Sequence, residues 1–330
     1  KGTLFSVLDF TSTAMGSRKL AKWLEYPLLD RYKIEQRLDA VQELVNDFSR
    51  RTQLRELLKN VYDFERLLTR VEVGTANARD MLALKNSLYA LPQIKTSLSN
   101  IKTQLLQNVS ANISVYTRLA DLLEKSIAEN PGLLLRDGGI IKDGFNEELD
   151  EYRRLASDSQ SLLQQMEEQQ RQITGIKSLK VGYNKVFGYF IEIRKSNIDQ
   201  VPLNYIRKQT LVNTERYITP DLKEFETKIL GAKEKILQIE YQLFTQVREE
   251  VKKYIPSIQV TARNIATLDV ITAYAEAASE YNYIRPAISN DGNIIIRDGR
   301  HPLIERILTR EIFVPNDTVL DNQENEILII

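Results

Sequence analysis

The densest grouping of side chains that could do chemistry lies between residues 176 and 219. Eight basic residues fall there, Lys177, Lys180, Lys185, Arg194, Lys195, Arg207, Lys208 and Arg216, against three acidic ones, Glu192, Asp199 and Glu215. The stretch carries +5, and because the 330-residue chain is formally neutral, the remainder carries −5. Such segregation suits a phosphate backbone, where lysine and arginine gain affinity by releasing counterions and need no contact with bases. Six aromatics, Tyr183, Phe187, Tyr189, Phe190, Tyr205 and Tyr217, are interleaved with the charges. Composition leaves two readings open: a basic grip on nucleic acid, or a small aromatic β core rimmed by solvated lysines.

Other chemistry finds little support. His301, in GRHP, is the only histidine, which excludes a histidine-dependent triad or a multi-histidine metal site and leaves a turn or packing role. The absence of cysteine excludes disulfides and thiolate metal sites. Glu147, Glu148, Asp150 and Glu151 stand beside Arg153 and Arg154 in a helical pattern and read as a solvated face with helix-supporting pairs. Neither GxxxxGK[ST] nor GxGxxG occurs. No catalytic constellation and no metal site follows from the residues, so this stretch is read as non-enzymatic, with no cofactor of its own.

The elements that must carry the basic stretch are helical. From Thr13 to about Ala128 apolar residues recur three and four apart, as in Leu38, Val41, Leu44, Val45 and Phe48, and again in Phe64, Leu67, Leu68 and Val71. Breakers are expected at Pro27, Gly74 and Pro92, with helix caps at Asp30 and Asn77. Residues 131–144 interrupt the pattern and suggest a small hairpin or extended turn. One heptad seam then runs through Leu149, Tyr152, Ala156, Ser159, Leu163, Met166, Gln170 and Ile173 and ends at Thr174 and Gly175. A second starts after Thr219 and Pro220 and runs through Leu222, Phe225, Ile229, Ala232, Ile236, Ile239 and Leu243.

Two seams flanking a compact insert predict an antiparallel coiled-coil hairpin with the insert at its tip. The insert reads as β structure in LKVGYN and GYFIEI, with a turn near Lys185, Val186 and Phe187 and a further strand in RKQTLVN. A helix from about Val260 to Glu280 leads to a tail with strand signals around Ile294, Ile295 and Ile296, and to the apolar Ile327–Ile330 run, expected to be a buried strand. The fold class is therefore mainly α: a helical core bundle, long antiparallel coiled-coil helices carrying a β-rich tip, and a few C-terminal strands of another domain. Both ends read as cut. No run approaches the ~18 apolar residues of a membrane helix, and the N-terminus lacks a secretory pattern, so a cytoplasmic protein is expected.

Four passages go beyond patterning: GTLFSVLDFTSTAMGSRKLAKWLEYPLLD; LRDGGIIKDGFNEELDEYR; TGIKSLKVGYNKVFGYFIEI with YIRKQTLVNTERYITPDLKEFE; and GRHPLIE with FVPND. In this order, over essentially the whole chain, they resemble the MutS family of DNA mismatch-repair proteins. The resemblance implies core and lever helices at 1–159 and 220–283, a clamp at 160–219 that is β-rich from 176, and the N-terminal edge of an α/β ATPase domain at 284–330. It implies that the clamp grips duplex DNA by its backbone and that the levers relay between DNA and the nucleotide site. Lys185, Arg207 and Lys208, then Arg194, Lys195 and Arg216, are the residues expected to meet phosphates. Phe313, with Val314 beside it, matches the family position that packs on adenine. ATP and Mg²⁺ are expected only in the intact parent, a DNA-dependent ATPase expected to be a homodimer that recruits a downstream repair factor. The rival reading is a structural coiled-coil lever of another DNA-organising ATPase, whose tip contacts protein.

Overall fold

The computed structural model describes residues 2–132, 135–157, 159–184, 186, 188–307 and 313–321, with only the backbone described for Ser159, Gln160 and Ile307. The chain divides into two compact units, one of residues 1–76, 80–124 and 248–330, the other of residues 77–79 and 125–247. Among the described residues, no helix is long and apolar enough to cross a membrane.

The first unit is built on one buried helix. Its main helices are α1 (Leu4–Leu8), α2 (Ala14–Glu25), α3 (Arg31–Asn46), α4 (Phe48–Leu58), α5 (Phe64–Glu72), α6 (Ala78–Ser97), α7 (Gln104–Asn112), α8 (Thr117–Ser126) and the long α12 (Ile255–Tyr281), which follows α11 (Pro220–Lys252) of the second unit in sequence. α12 packs against α1, α2, α3, α4, α5 and α7. Its sequence is apolar around most of its circumference, with Ile258, Ile265, Leu268 and Ile271 buried, as a helix enclosed on all sides must be. Arg51, only 4% exposed, and Arg55 fasten α4 to it through Glu276 at 2.8 and 2.5 Å. Arg51 also donates to the carbonyls of Leu44 and Val45 near the end of α3, which satisfies groups that a helix leaves open.

A buried carboxylate fixes the start of the chain to this central helix. Asp269 is 1% exposed and accepts from Ser12 N at 2.9 Å, Thr13 N at 2.8 Å and Thr13 Oγ1 at 2.7 Å. Thr13 Oγ1 in turn caps α2 by accepting from Gly16 N at 2.9 Å. Burial raises the Asp269 carboxyl above the usual range, against the three hydrogen bonds that favour its anion. Gly16 is required here by space: a Cβ would stand 2.1 Å from Asp269 Oδ2.

Asp30 caps α3 as expected, accepting from Tyr32 N and Lys33 N. Pro92 does not break its helix but sits inside α6, where Leu88, Leu91 and Ile94 are buried and their burial outweighs the ~3 kcal/mol local cost of proline. Phe48 does not complete the α3 stripe. Asp47 caps a new helix, accepting from Arg50 N, and leaves Phe48 68% exposed at its first position.

The second unit carries the stalk and sheet. α9 (Glu147–Ser157), α10 (Ser159–Thr174) and α11 hold the seams. On α11, Leu222, Ile229, Ala232 and Ile239 are buried. On α9 and α10, Leu149 and Gln170 are buried while Ile173 is 62% exposed. The helices run antiparallel: Asn146 and Glu148 share a cleft with Gln242, Leu243 and Gln246, Arg153 reaches Glu240, and Met166 packs in the cluster that contains Leu222. Thr219 caps α11 by accepting from Leu222 N, and Gly175, at φ +73°, ends α10. In the 131–144 segment, Leu133 and Leu134 lie outside the described residues; Leu135–Asp137 form a 3₁₀ turn and Ile141 bridges Ile127.

Arg153 departs from its expected place on a solvated face. It donates to Asp143, to Ile141 O and to Glu240, which is 1% exposed and also accepts from Ile140 N at 3.2 Å. Sequence periodicity could not show this, because Glu240 lies 87 residues away.

Four strands, β1 (Lys180–Asn184), β2 (Gly188–Arg194), β3 (Ile206–Thr210) and β4 (Thr214–Ile218), form an antiparallel sheet in the order β1-β2-β4-β3. In the first unit β5 (Ile294–Gly299) pairs with β6 (Asn316–Leu320), α13 (Ile304–Ile307) lying between them in sequence. The Ile327–Ile330 run lies outside the described residues.

Gly16→Ala should cost about 1–3 kcal/mol of stability in urea unfolding, the usual cost of overpacking; an unchanged midpoint would show that Asp269 moves aside freely. Arg153→Met should cost about 3–5 kcal/mol by stranding the buried Glu240 carboxylate, and adding Glu240→Leu should recover most of it. A double variant no more stable than the single one would contradict the stranded charge as the cause.

Candidate nucleic-acid interface

Forty-odd residues cannot bury enough surface to hold a sheet by themselves, so this one borrows its core from the stalk. Ile176, Leu179, Ile191, Ile193, Tyr205, Tyr217 and Leu222 form a buried cluster, with Met166, Val181, Tyr189 and Val201 packed against it. Met166 belongs to α10 and Leu222 to α11, so both stalk helices contribute. Strand alternation puts Tyr189, Ile191 and Ile193 on this inner face and Phe190, Glu192 and Arg194 on the outer one.

Polar contacts tighten the same junction. On α10, Glu167 accepts from Val181 N at 2.7 Å and Arg171 donates to Leu179 O at 2.9 Å. Buried Gln170 accepts from the Tyr205 hydroxyl at 2.5 Å. From α11, Phe225 meets Tyr189 edge to face at 5.8 Å. Gly188, at φ +75°, lies where a Cβ would be 2.0 Å from Glu226 Oε1. Burial pushes the Tyr205 phenol up to about 12. Burial, and then the hydrogen bond to Glu215, brings Tyr217 to about 12 as well. Both phenols therefore stay neutral donors at ordinary pH.

The basic residues divide by position. Arg194 ends β2 opposite Thr214, and Lys195 follows it, with its N–H on Asn213 O. Arg207 and Lys208 lie on the edge strand β3. The register shifts between Arg207 and Gln209, leaving Lys208 without a partner on β4, and such an irregularity re-aims side chains. All four are exposed, as are Lys177 and Lys180. Arg207 is 63% exposed in its side chain and only loosely held, 3.5 Å from the buried Glu215.

Arg216 differs from these. Its guanidinium donates to Glu192 and Gln209, both at 3.0 Å, and stacks 4.2 Å over Phe190. Phe190 itself covers Gly182, where a Cβ would meet the ring at 2.9 Å. Arg216 is thus largely engaged within the sheet, in a ladder that fixes the outer face. The sequence signal for this is the Glu192–Arg216 cross-strand pair, legible only once β2 and β4 are known to be neighbours. Lys185 and Phe187 lie outside the described residues; Asn184 and Gly188, on either side of their connection, are cross-strand partners. From Gly188 to Arg194, β2 spans about 20 Å, so the expected phosphate contacts occupy a line along the sheet, not one point.

The tail places the other expected residues. Phe313 lines a cavity of about 580 Å³ with Ile296, Arg300, His301, Pro302 and Thr318, while Val314 is 73% exposed and does not line it. His301 serves the turn role expected of it: its Nδ1 accepts from Leu303 N and Ile304 N, both at 3.3 Å, at the start of α13.

Comparison with known proteins agrees with this architecture. Residues 1–275 match the family described as MutS domain III. A DNA mismatch repair protein MutS from Clostridium novyi is 50% identical over 331 residues, covering all of this chain and 36% of the relative. The MutS proteins of Halothermothrix orenii and Acetivibrio thermocellus are 50% and 47% identical, again over all of this chain, which covers 37% and 38% of them. The chain thus spans little more than a third of the length of these curated relatives. With the stalk, the sheet and a match over most of its length in agreement, the chain belongs to the MutS domain III family.

Proposed function

We propose that this chain is the lever and clamp region of a DNA mismatch-repair protein, in which the sheet grips duplex DNA by its backbone and without reading bases. The observation that carries the reading is the +5 charge of residues 176–219 in a neutral chain, with Lys177, Lys180, Arg194, Lys195, Arg207 and Lys208 exposed on or beside a sheet packed against both stalk helices. Among the described residues, α10 and α11 are engaged with the sheet, which favours a contact to phosphates that carries no sequence information of its own. Lys185, Arg207 and Lys208 are the leading contacts, then Arg194 and Lys195. Arg216 comes last, because its guanidinium is already held.

In this reading residues 1–159 and 220–283 are core and lever, 160–219 the clamp, and 284–330 the edge of an ATPase domain. Phe313 would pack on adenine in the intact parent, which binds ATP and Mg²⁺, and Val314 would adjoin it. The lever then relays between DNA and nucleotide through helices anchored at Asp269 and at Arg153. The parent would act in the cytoplasm as a homodimer that recruits a downstream repair factor. A tip that contacts protein is the alternative, and a net +5 does not favour it unless that partner is acidic.

A salt titration of duplex binding tests the grip. Each lost phosphate contact should lower the slope of log affinity against log salt by about 0.9. Lys185→Glu with Arg207→Glu and Lys208→Glu should therefore flatten it by roughly 2.7, equally for matched and mismatched duplexes. An unchanged slope would move the grip elsewhere, and a mismatch preference in this chain would show that it reads bases.

A further inference from the structure

The first compact unit carries a cluster of cations that the DNA-gripping sheet does not use. Trp23, the only tryptophan of the chain, lies on α2 with Lys19 and Lys22. The Arg37 guanidinium, from α3, stacks 3.4 Å from the centre of the indole, and Lys19 Nζ stands 5.9 Å from it. Tyr274, from α12, backs the indole at 6.3 Å. Lys19 donates to the carbonyl of Arg263, also on α12, at 3.1 Å. Lys19 and Arg37 thus flank the indole, and the charges of Lys22 and Arg263 act on Lys19 from close by.

Among the described residues, none of these four cations has a carboxylate within 4.0 Å. The carboxylate that acts on Lys19 is Glu65, and Arg18 binds it at 2.5 Å together with Asp63 at 2.9 Å. Burial, followed by the charge of Arg37, pushes Lys19 below its usual range, and burial pushes Arg37 down too. Half-buried cations without a counter-charge are costly to maintain for stability alone, whereas a guanidinium stacked on an indole keeps its N–H edge in position for a planar carboxylate.

We infer that the Lys19–Trp23–Arg37 cluster, with Lys22 and Arg263, is a docking site for an acidic segment of a partner protein, whose carboxylate the Arg37 and Lys19 side chains receive. One further feature favours a peptide over a nucleic-acid backbone. One turn beyond Trp23, the chain exposes Tyr26 at 70% and Leu29 at 96%, apolar surface that a phosphate backbone does not use and the side chains of a peptide do. The site is chemically independent of the sheet and of the reading given to it.

Trp23 reports on its own site. The 330-residue chain is titrated with a capped hexapeptide of alternating aspartate and leucine while tryptophan emission is followed. A matching lysine–leucine peptide and a DNA duplex form the other arms. The aspartate peptide should change the emission saturably, and the lysine peptide should leave it unchanged. Lys22→Glu with Arg263→Glu, both exposed and outside the core, should weaken the peptide about tenfold or more, equivalent to ~1.4 kcal/mol. Arg37→Gln should abolish the response, with circular dichroism confirming the fold. The proposal is overturned if the aspartate peptide gives no saturable change, if the Lys22 and Arg263 reversals leave its affinity intact, or if the duplex shifts Trp23 at lower concentration than the peptide does.

Discussion

Everything about the basic sheet depends on its having no core of its own. Its inner face is completed by Met166 and Leu222 from the stalk and sealed by the Gln170–Tyr205 hydrogen bond. A sheet that borrowed nothing would be marginal at this size and free to swing. Because both stalk helices donate, the sheet and the adjoining ends of α10 and α11 share one packed cluster, and the same residues stabilise the sheet and join it to the stalk.

A second constraint operates at the other end of the stalk. Glu240 is buried on α11, and its neutralisation by Arg153 joins α9, the loop containing Ile140 and Ile141, and α11 in one ionic knot. Buried pairs of this kind contribute little net stability compared with apolar substitutes, yet they are expensive to break from one side. They define a single arrangement of the elements they join. Asp269 does the comparable task in the first unit, where backbone N–H groups from residues 12 and 13 take the place of a cation.

Much of this was legible in the sequence because it rests on local periodicity. The seam from Leu222 to Leu243 is turned inward along its length, and the caps at Asp30, Thr219 and Gly175 stand where side-chain chemistry requires them. What escaped depends on partners distant in sequence. In sequence Arg153 is one charge among many on a helix, and its partner Glu240 lies 87 residues away. Arg216 counted as a free cation, whereas Glu192, Gln209 and Phe190 hold it. β4 carries no strand signal of its own, because TERYI lacks an apolar alternation; its buried positions are Glu215 and Tyr217, polar residues that satisfy each other through the Tyr217 hydroxyl. Pro92 misled in the opposite direction, because tertiary burial overrode a strong local signal.

In the function proposed above, duplex DNA is held by the sheet at the end of the stalk and by no other part of this chain. Amide hydrogen exchange, with and without a duplex at low salt, locates the contact directly. Protection should concentrate in residues 188–218 and extend into the joined ends of α10 and α11, while the β5–β6 pair stays unchanged. Protection confined to the first unit, with the sheet exchanging as it does in the free protein, would contradict the claim.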